Sequence, residues 1–299
     1  MLGFLCKALA CLPLKWIHYF GAALGYGAYL VDRKGNRTAL NNILQSGLTA
    51  DTSHARHLMK ASRMSAGKAL IETFFIWGQP AAKLVPLVKE VHGWQLVEDV
   101  QKNGKGIIFL TPHLGCFEIT SIYYGMHQPI TVLYRPPKLR ILKNMIISGR
   151  QKEQVTMAPA NAAGVKKLLQ ALKAGQAIGI LPDQIPKRGE GEWAPFFGKQ
   201  AYTMGLASKL AQKSDATIIM AFGERLPDGA GYAIHLSEIS DISTPALLNK
   251  AVEQQIARCP DQYLWQYDRY KQRRYALQKK PYLADAATAE PSSEKDSQK

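Results

Sequence analysis

The sequence predicts an α/β fold, a mostly parallel sheet flanked by helices, on two kinds of observation. Short apolar runs of strand length recur at 106–110, 130–134, 177–181, 217–222 and 232–236, each stopped by Pro, Gly or polar residues. Between them lie segments with apolar residues three and four apart, at 139–147, 162–173 and 202–212. That alternation is the rhythm of βαβ units, whose crossover helices cover both faces of a sheet. The 299 residues can bury a sizeable core as one large domain or two small ones.

Taken in order, the amino terminus differs from the rest. From Trp16 to Val31 the chain is apolar or small except for His18, and as a helix it would be about 24 Å long against a hydrocarbon core of about 30 Å. Adding Leu2 to Leu14 supplies the missing length, with Lys7 and Lys15 able to snorkel and Pro13 a kink. Residues 1–31 are therefore expected to form a membrane anchor helix. Gly21 and Gly25 make a small-x-x-x-small pair open to the approach of another helix. The apolar run flows into Arg33, Lys34 and Arg37 without an Ala-x-Ala-like site, which argues against a cleaved signal peptide and for a main domain on the cytoplasmic side.

The main domain is expected over 32–278. His54 to Trp77 reads as a helix, Ala81 to Val91 as its continuation after Pro80, and Ala246 to Arg258 and Tyr263 to Gln278 as closing helices. Residues 279–299, rich in Ala, Ser, Thr and charge, are expected to be a disordered polar tail.

A net charge of +15 implies an acidic partner: nucleic acid, an anionic membrane face, a phosphorylated lipid or an acidic carrier protein. No zinc, helix-turn-helix or RNA-binding signature is present, and a long apolar amino terminus argues against nucleic acid. The four cysteines form no Cys-x-x-Cys pair and the seven histidines no His-Glu-x-x-His, so no metal is expected. Cys116 reads as a small packing residue rather than a nucleophile. A membrane-associated esterase would also suit an α/β sheet, but no Gly-x-Ser-x-Gly elbow occurs.

Polar residues at strand ends point to chemistry. The run to Leu110 is followed by Thr111-Pro-His113, that to Tyr134 by Arg135, and that to Leu181 by Pro182-Asp183. Parallel strands bring such ends to one edge, where ligands bind, so a base, a cation and a carboxylate would line one cleft. Glu118 follows His113 by five positions. On one regular helix the two side chains would diverge by about 140°. His113 must therefore sit in a turn before the helix, which Pro112 and Gly115 favour.

His113 and Glu118 match a His-x4-Asp/Glu motif, in register with Tyr134-Arg-Pro-Pro-Lys138, Gly179-Ile-Leu-Pro-Asp-Gln184 and the Phe-Phe-Gly turn inside Trp193–Thr203. With Glu224-Arg225 and the segment from Gln262 to Lys271, this pattern resembles the late acyltransferases of lipid A biosynthesis, in the lysophospholipid acyltransferase superfamily. The resemblance implies transfer of a fatty acyl group from acyl carrier protein, or an acyl-CoA, to a hydroxyl of an anionic glycolipid, a lipid A precursor. The site would be the cytoplasmic face of a bacterial inner membrane, with no cofactor beyond the acyl co-substrate. A lysophospholipid or another glycolipid is the alternative acceptor. In this reading His113 is the general base and Glu118 holds its tautomer, without a covalent acyl-enzyme. Arg135 meets a lipid phosphate or the oxyanion region, Asp183 orients a sugar hydroxyl or fixes Arg135, and Arg225 contacts anionic substrate. The Arg-x-x-Gly feature that the resemblance leads one to expect is broken, since Arg150 is followed by Gln151, Lys152 and Glu153.

Overall fold

The computed structural model describes residues 6, 8–137 and 140–271; the expected tail at 279–299 lies outside them. From Leu14 the chain runs through the helices α1 (Leu14–Val31), α2 (Arg33–Ser46) and α3 (Thr52–Gly78). Asp32 and Asp51 start the second and third by accepting the N–H groups of Gly35 and His54, each at 2.8 Å, which satisfies donors that a helix start leaves without partners.

Among the described residues no helix is long and apolar enough to cross a membrane, so the expected membrane anchor over 1–31 finds no support as a spanning helix there. α1 packs against another helix of this chain. A Cβ on Gly21 would lie 2.5 Å from Lys68 Cα, one on Gly25 2.2 Å from the Arg63 carbonyl oxygen, and one on Gly67 2.0 Å from that of Gly21. The small-residue pair thus serves a close helix contact inside the chain, α1 on α3. Its buried face also carries a polar group, His18, while Trp16, Tyr19, Phe20, Leu24, Leu30 and Val31 stay exposed on α1.

After a short α4 (Ala81–Leu84) come β1 (Val88–His92), α5 (Trp94–Lys102), β2 (Ile107–Leu110), α6 (Phe117–His127), β3 (Ile130–Tyr134), α7 (Arg140–Arg150), β4 (Val155–Pro159), α8 (Ala162–Lys173) and β5 (Ala177–Ile180). The hairpin β6 (Gly191–Phe196) and β7 (Lys199–Met204) leads to α9 (Leu206–Gln212), β8 (Thr217–Arg225), β9 (Tyr232–Glu238) and α10 (Pro245–Arg258). Among the described residues seven strands form one sheet in the order β1-β9-β8-β2-β5-β3-β4, parallel except for the β8–β9 pair.

Both faces of the sheet are buried. Ile108, Leu110, Ile178 and Ile180 belong to one core cluster, and Ile107, Phe109 and Ala177 to another. Strand alternation divides the side chains between the faces, so central parallel strands read as continuous apolar runs.

Several sequence expectations are corrected at element edges. The helix expected over Ala81–Val91 stops at Leu84 and gives way, past Pro86, to edge strand β1. Tyr202 to Met204 belong to β7, because the Phe197-Gly198 turn has positive φ at both residues (47° and 75°) and folds a two-residue hairpin. The described part of the expected helix from Tyr263, through Lys271, contains no helix; the rest lies outside the described residues.

Candidate active site

The sheet order carries the site. β5 lies between β2 and β3, pairing Leu110 with Ile180 and Ile130 with Ala177. The strand ends that lead to His113, Arg135 and Asp183 are thus neighbours.

His113 sits in the turn between β2 and α6, as the spacing argument requires. Gly115 adopts φ +59°, and a Cβ there would meet the Gly223 carbonyl oxygen at 2.1 Å, so conformation and space both demand glycine. The Gly115 N–H donates to the Gln262 carbonyl at 3.1 Å and the Cys116 N–H to the Gly223 carbonyl at 2.7 Å, tying the turn to the neighbouring backbone.

Asp183, 4% exposed, approaches the turn from the end of β5. Its Oδ2 accepts the His113 backbone N–H at 3.0 Å, and its Oδ1 lies 2.8 Å from His113 Nδ1. Two contacts to one residue fix both ring and backbone. The Gln184 side-chain amide nitrogen lies 3.1 Å from His113 Nε2. An amide nitrogen only donates, so this contact assigns the proton of the neutral ring to Nδ1 and the lone pair to Nε2. Phe117 packs on the imidazole with ring centroids 4.9 Å apart. Burial alone would raise the Asp183 carboxyl, but the adjoining His113 charge and hydrogen bonds outweigh it and hold it below the usual aspartate range.

The expectation that Glu118 holds the His113 tautomer is corrected. Glu118 is buried in the first turn of α6, where its oxygens accept from Arg150 Nε at 3.0 and 2.9 Å and from Nη2 at 2.5 Å. Arg150 comes from the last turn of α7. The turn frees His113 from the helix, and the side chain across from its Nδ1 is Asp183. Asp183, expected to orient a sugar hydroxyl or fix Arg135, has both carboxylate oxygens on His113.

Arg225 is corrected too. It is buried, with Nη2 and Nε on Glu72 Oε1 at 2.5 and 2.8 Å, in the core rather than where it could meet an anionic substrate. Arg269 is likewise buried, donating to the Tyr202 carbonyl and to Thr203 Oγ1, each at 2.8 Å. Cys116 matches its packing reading: it is 1% exposed, and burial pushes its thiol well above the usual range.

Arg135 is exposed at the end of β3 and, with His113, Arg150, Asn161, Gln184 and Lys209, lines a cavity of about 440 Å³. The cavity therefore holds an imidazole, two guanidinium groups and the capped start of α8, whose Asn161 accepts from the Gly164 N–H at 3.0 Å. Such a place suits an anionic substrate beside a base. Asn161 and Lys209 escaped sequence reasoning, and Gln184 and Arg150 were given no role by it. Gln184 follows Asp183 directly and could have been read with it; Arg150 lies 32 residues from Glu118, and no local signal links them.

The sequence profile of bacterial lipid A biosynthesis acyltransferases matches residues 2–272. The lipid A biosynthesis lauroyltransferase and palmitoleoyltransferase of Escherichia coli (strain K12) are each 27% identical to this chain over 270 residues, 88% of the chain and 87% of each relative. The lipid A biosynthesis myristoyltransferase of the same organism is 21% identical over 267 residues, covering 86% of this chain and 81% of its own length.

Proposed function

The chain belongs to the bacterial lipid A biosynthesis acyltransferase family, and from that premise we propose that it moves a fatty acyl group from a thioester donor to a hydroxyl of a lipid A precursor, with His113 as general base. The observation that carries this reading is the orientation of His113, whose Nδ1 is held by Asp183 while Nε2 keeps its lone pair on the lining of the cavity.

A hydroxyl is a weak nucleophile at neutral pH. Nε2 takes its proton as the oxygen attacks the thioester carbon, replacing the hydrogen bond from Gln184, and Asp183 stabilises the imidazolium that forms. Collapse of the tetrahedral intermediate breaks the carbon–sulfur bond, and the leaving thiolate recovers the proton from Nε2. The acceptor is itself the nucleophile, so no acyl-enzyme forms. Glu118 acts by fixing Arg150 at the cavity wall, where its charge and that of Arg135 face the developing oxyanion and the phosphates of the acceptor.

The net charge of +15 suits the acidic surface of an acyl carrier protein as donor, with acyl-CoA the other candidate. The exposed face of α1, with Trp16, Tyr19, Phe20 and Leu24 outward and Lys15 5.7 Å from the Tyr19 ring centre, suits a helix lying in the interface of the cytoplasmic leaflet of the inner membrane.

The test is incubation of purified protein with acyl-acyl carrier protein and a Kdo-bearing lipid A precursor. The expected product is the precursor plus one acyl group by mass spectrometry. Acylation of a lysophospholipid alone would overturn the acceptor. Hydrolysis of the thioester without transfer would favour an esterase.

A further inference from the structure

A second charged cluster lies beneath the catalytic turn. Every N–H of the Arg225 guanidinium has a partner: Nε and Nη2 donate to Glu72 Oε1, Nη1 to Ser65 Oγ at 3.0 Å and to Gln262 Oε1 at 3.5 Å, and Nη2 also to the Gly115 carbonyl at 2.7 Å. The other Glu72 oxygen accepts from the Tyr232 hydroxyl at 3.3 Å and lies 3.1 Å from His18 Nε2. Helices α1 and α3 and strands β8 and β9 thus converge on one carboxylate.

Stability alone is a weak reason for such a cluster, because replacing a buried ion pair with well-packed apolar groups is commonly neutral or stabilising. Its contact with Gly115 suggests another. Gly115 lies two residues after His113, its carbonyl is held by Arg225, and its N–H is held by the Gln262 carbonyl. The Gln262 side chain in turn bonds the backbone N–H and carbonyl of Arg225 at 2.9 and 3.1 Å. Both sides of the residue that turns the chain are therefore anchored to Arg225 and its partner.

We propose that Arg225 is a positioning residue: seated on Glu72, it holds the Gly115 carbonyl and so aims His113 at the cavity, with α1 entering the arrangement through His18. The inference rests on His113 being the base. Arg225 touches no substrate, and its effect is on the direction of the imidazole. Lysine in its place would pair with Glu72 as a point charge but lacks the planar fork that reaches Ser65 and Gly115 as well.

The experiment uses full-length protein labelled with ¹⁵N-histidine. In a folded Arg225→Lys variant kcat should fall about 100-fold, the scale of a misplaced catalytic group, with KM for both substrates unchanged. The His113 Nδ1 proton resonance, set by the bond to Asp183, should shift or broaden. Should that variant not fold, the Glu72→Gln/Arg225→Met pair, which removes both charges together, should give the same signature. His18→Ala, which leaves the Glu72–Arg225 pair whole, should give a smaller loss in the same direction. Folded variants with native kcat, or with reduced kcat and an unmoved His113 resonance, would overturn the inference. Full activity in His113→Ala would instead overturn the base assignment, while the His113 resonance in the Arg225 variants would still report on Arg225.

Discussion

Asp183 and Glu118 are both buried carboxylates near one edge of the sheet, yet their partners give them opposite properties. Asp183 meets an imidazole and leaves that ring a lone pair on the cavity side, where the Gln184 amide donates to it. Glu118 meets a guanidinium that takes up both its oxygens. In the proposed function one pair exchanges a proton with a substrate and the other is a fixed positive wall, since arginine does not give up its proton in proteins. A carboxylate's role follows from the base beside it, not from its place in a motif.

The comparison breaks most sharply at the imidazole. Asp183→Asn keeps the shape but favours the wrong tautomer, and kcat is expected to fall by up to about 10⁴-fold, the scale seen when the acid of a catalytic triad becomes an amide. Steady-state transfer by folded Asp183→Asn decides it; near-native activity there, with collapse in Glu118→Gln, would exchange the two roles.

Next in size is the fixed pair. Arg150→Ala leaves the Glu118 carboxylate, 4% exposed, without its cation, and should lower stability by about 3–5 kcal/mol in urea unfolding. Its loss of activity should be milder than that of Asp183→Asn when both are compared per folded molecule.

The smallest effect is on acid stability. The Asp183 carboxyl is held below its ordinary value of 3.8, so near that pH the unfolded chain binds more protons than the folded one. The stabilisation is complete above that value and is lost as pH falls below it, through the lower folded value. Unfolding midpoints measured at descending pH should drop less steeply in Asp183→Asn than in the native protein. An unchanged slope would mean that the His113 contact does not hold the carboxyl ionised.

Much of this site was legible in the sequence. Apolar runs placed β2, β3 and β5, and the residues beyond them were correctly expected at one edge. The divergence of side chains five positions apart on a helix correctly put His113 in a turn. The partner of His113 was misread because the motif drew attention to Glu118, 5 positions along the chain, while Asp183 stands 70 positions away across the β2–β5 pair. Arg225 was read as a substrate contact from the resemblance alone, and only the placement of α3 against β8 and β9 brings Glu72 to neutralise it.

The same holds for α1. Its hydropathy and paired glycines suggested a membrane helix seeking a partner, and the partner is α3 of the same chain.

The sequence by itself determined the alternation of strands and helices, the strand-end position of the candidate site and the turn that carries His113, because these depend on local period and backbone freedom. Only the tertiary structure decided which carboxylate meets which cation, because buried charges pair with whatever the strand order and helix packing bring within hydrogen-bond reach.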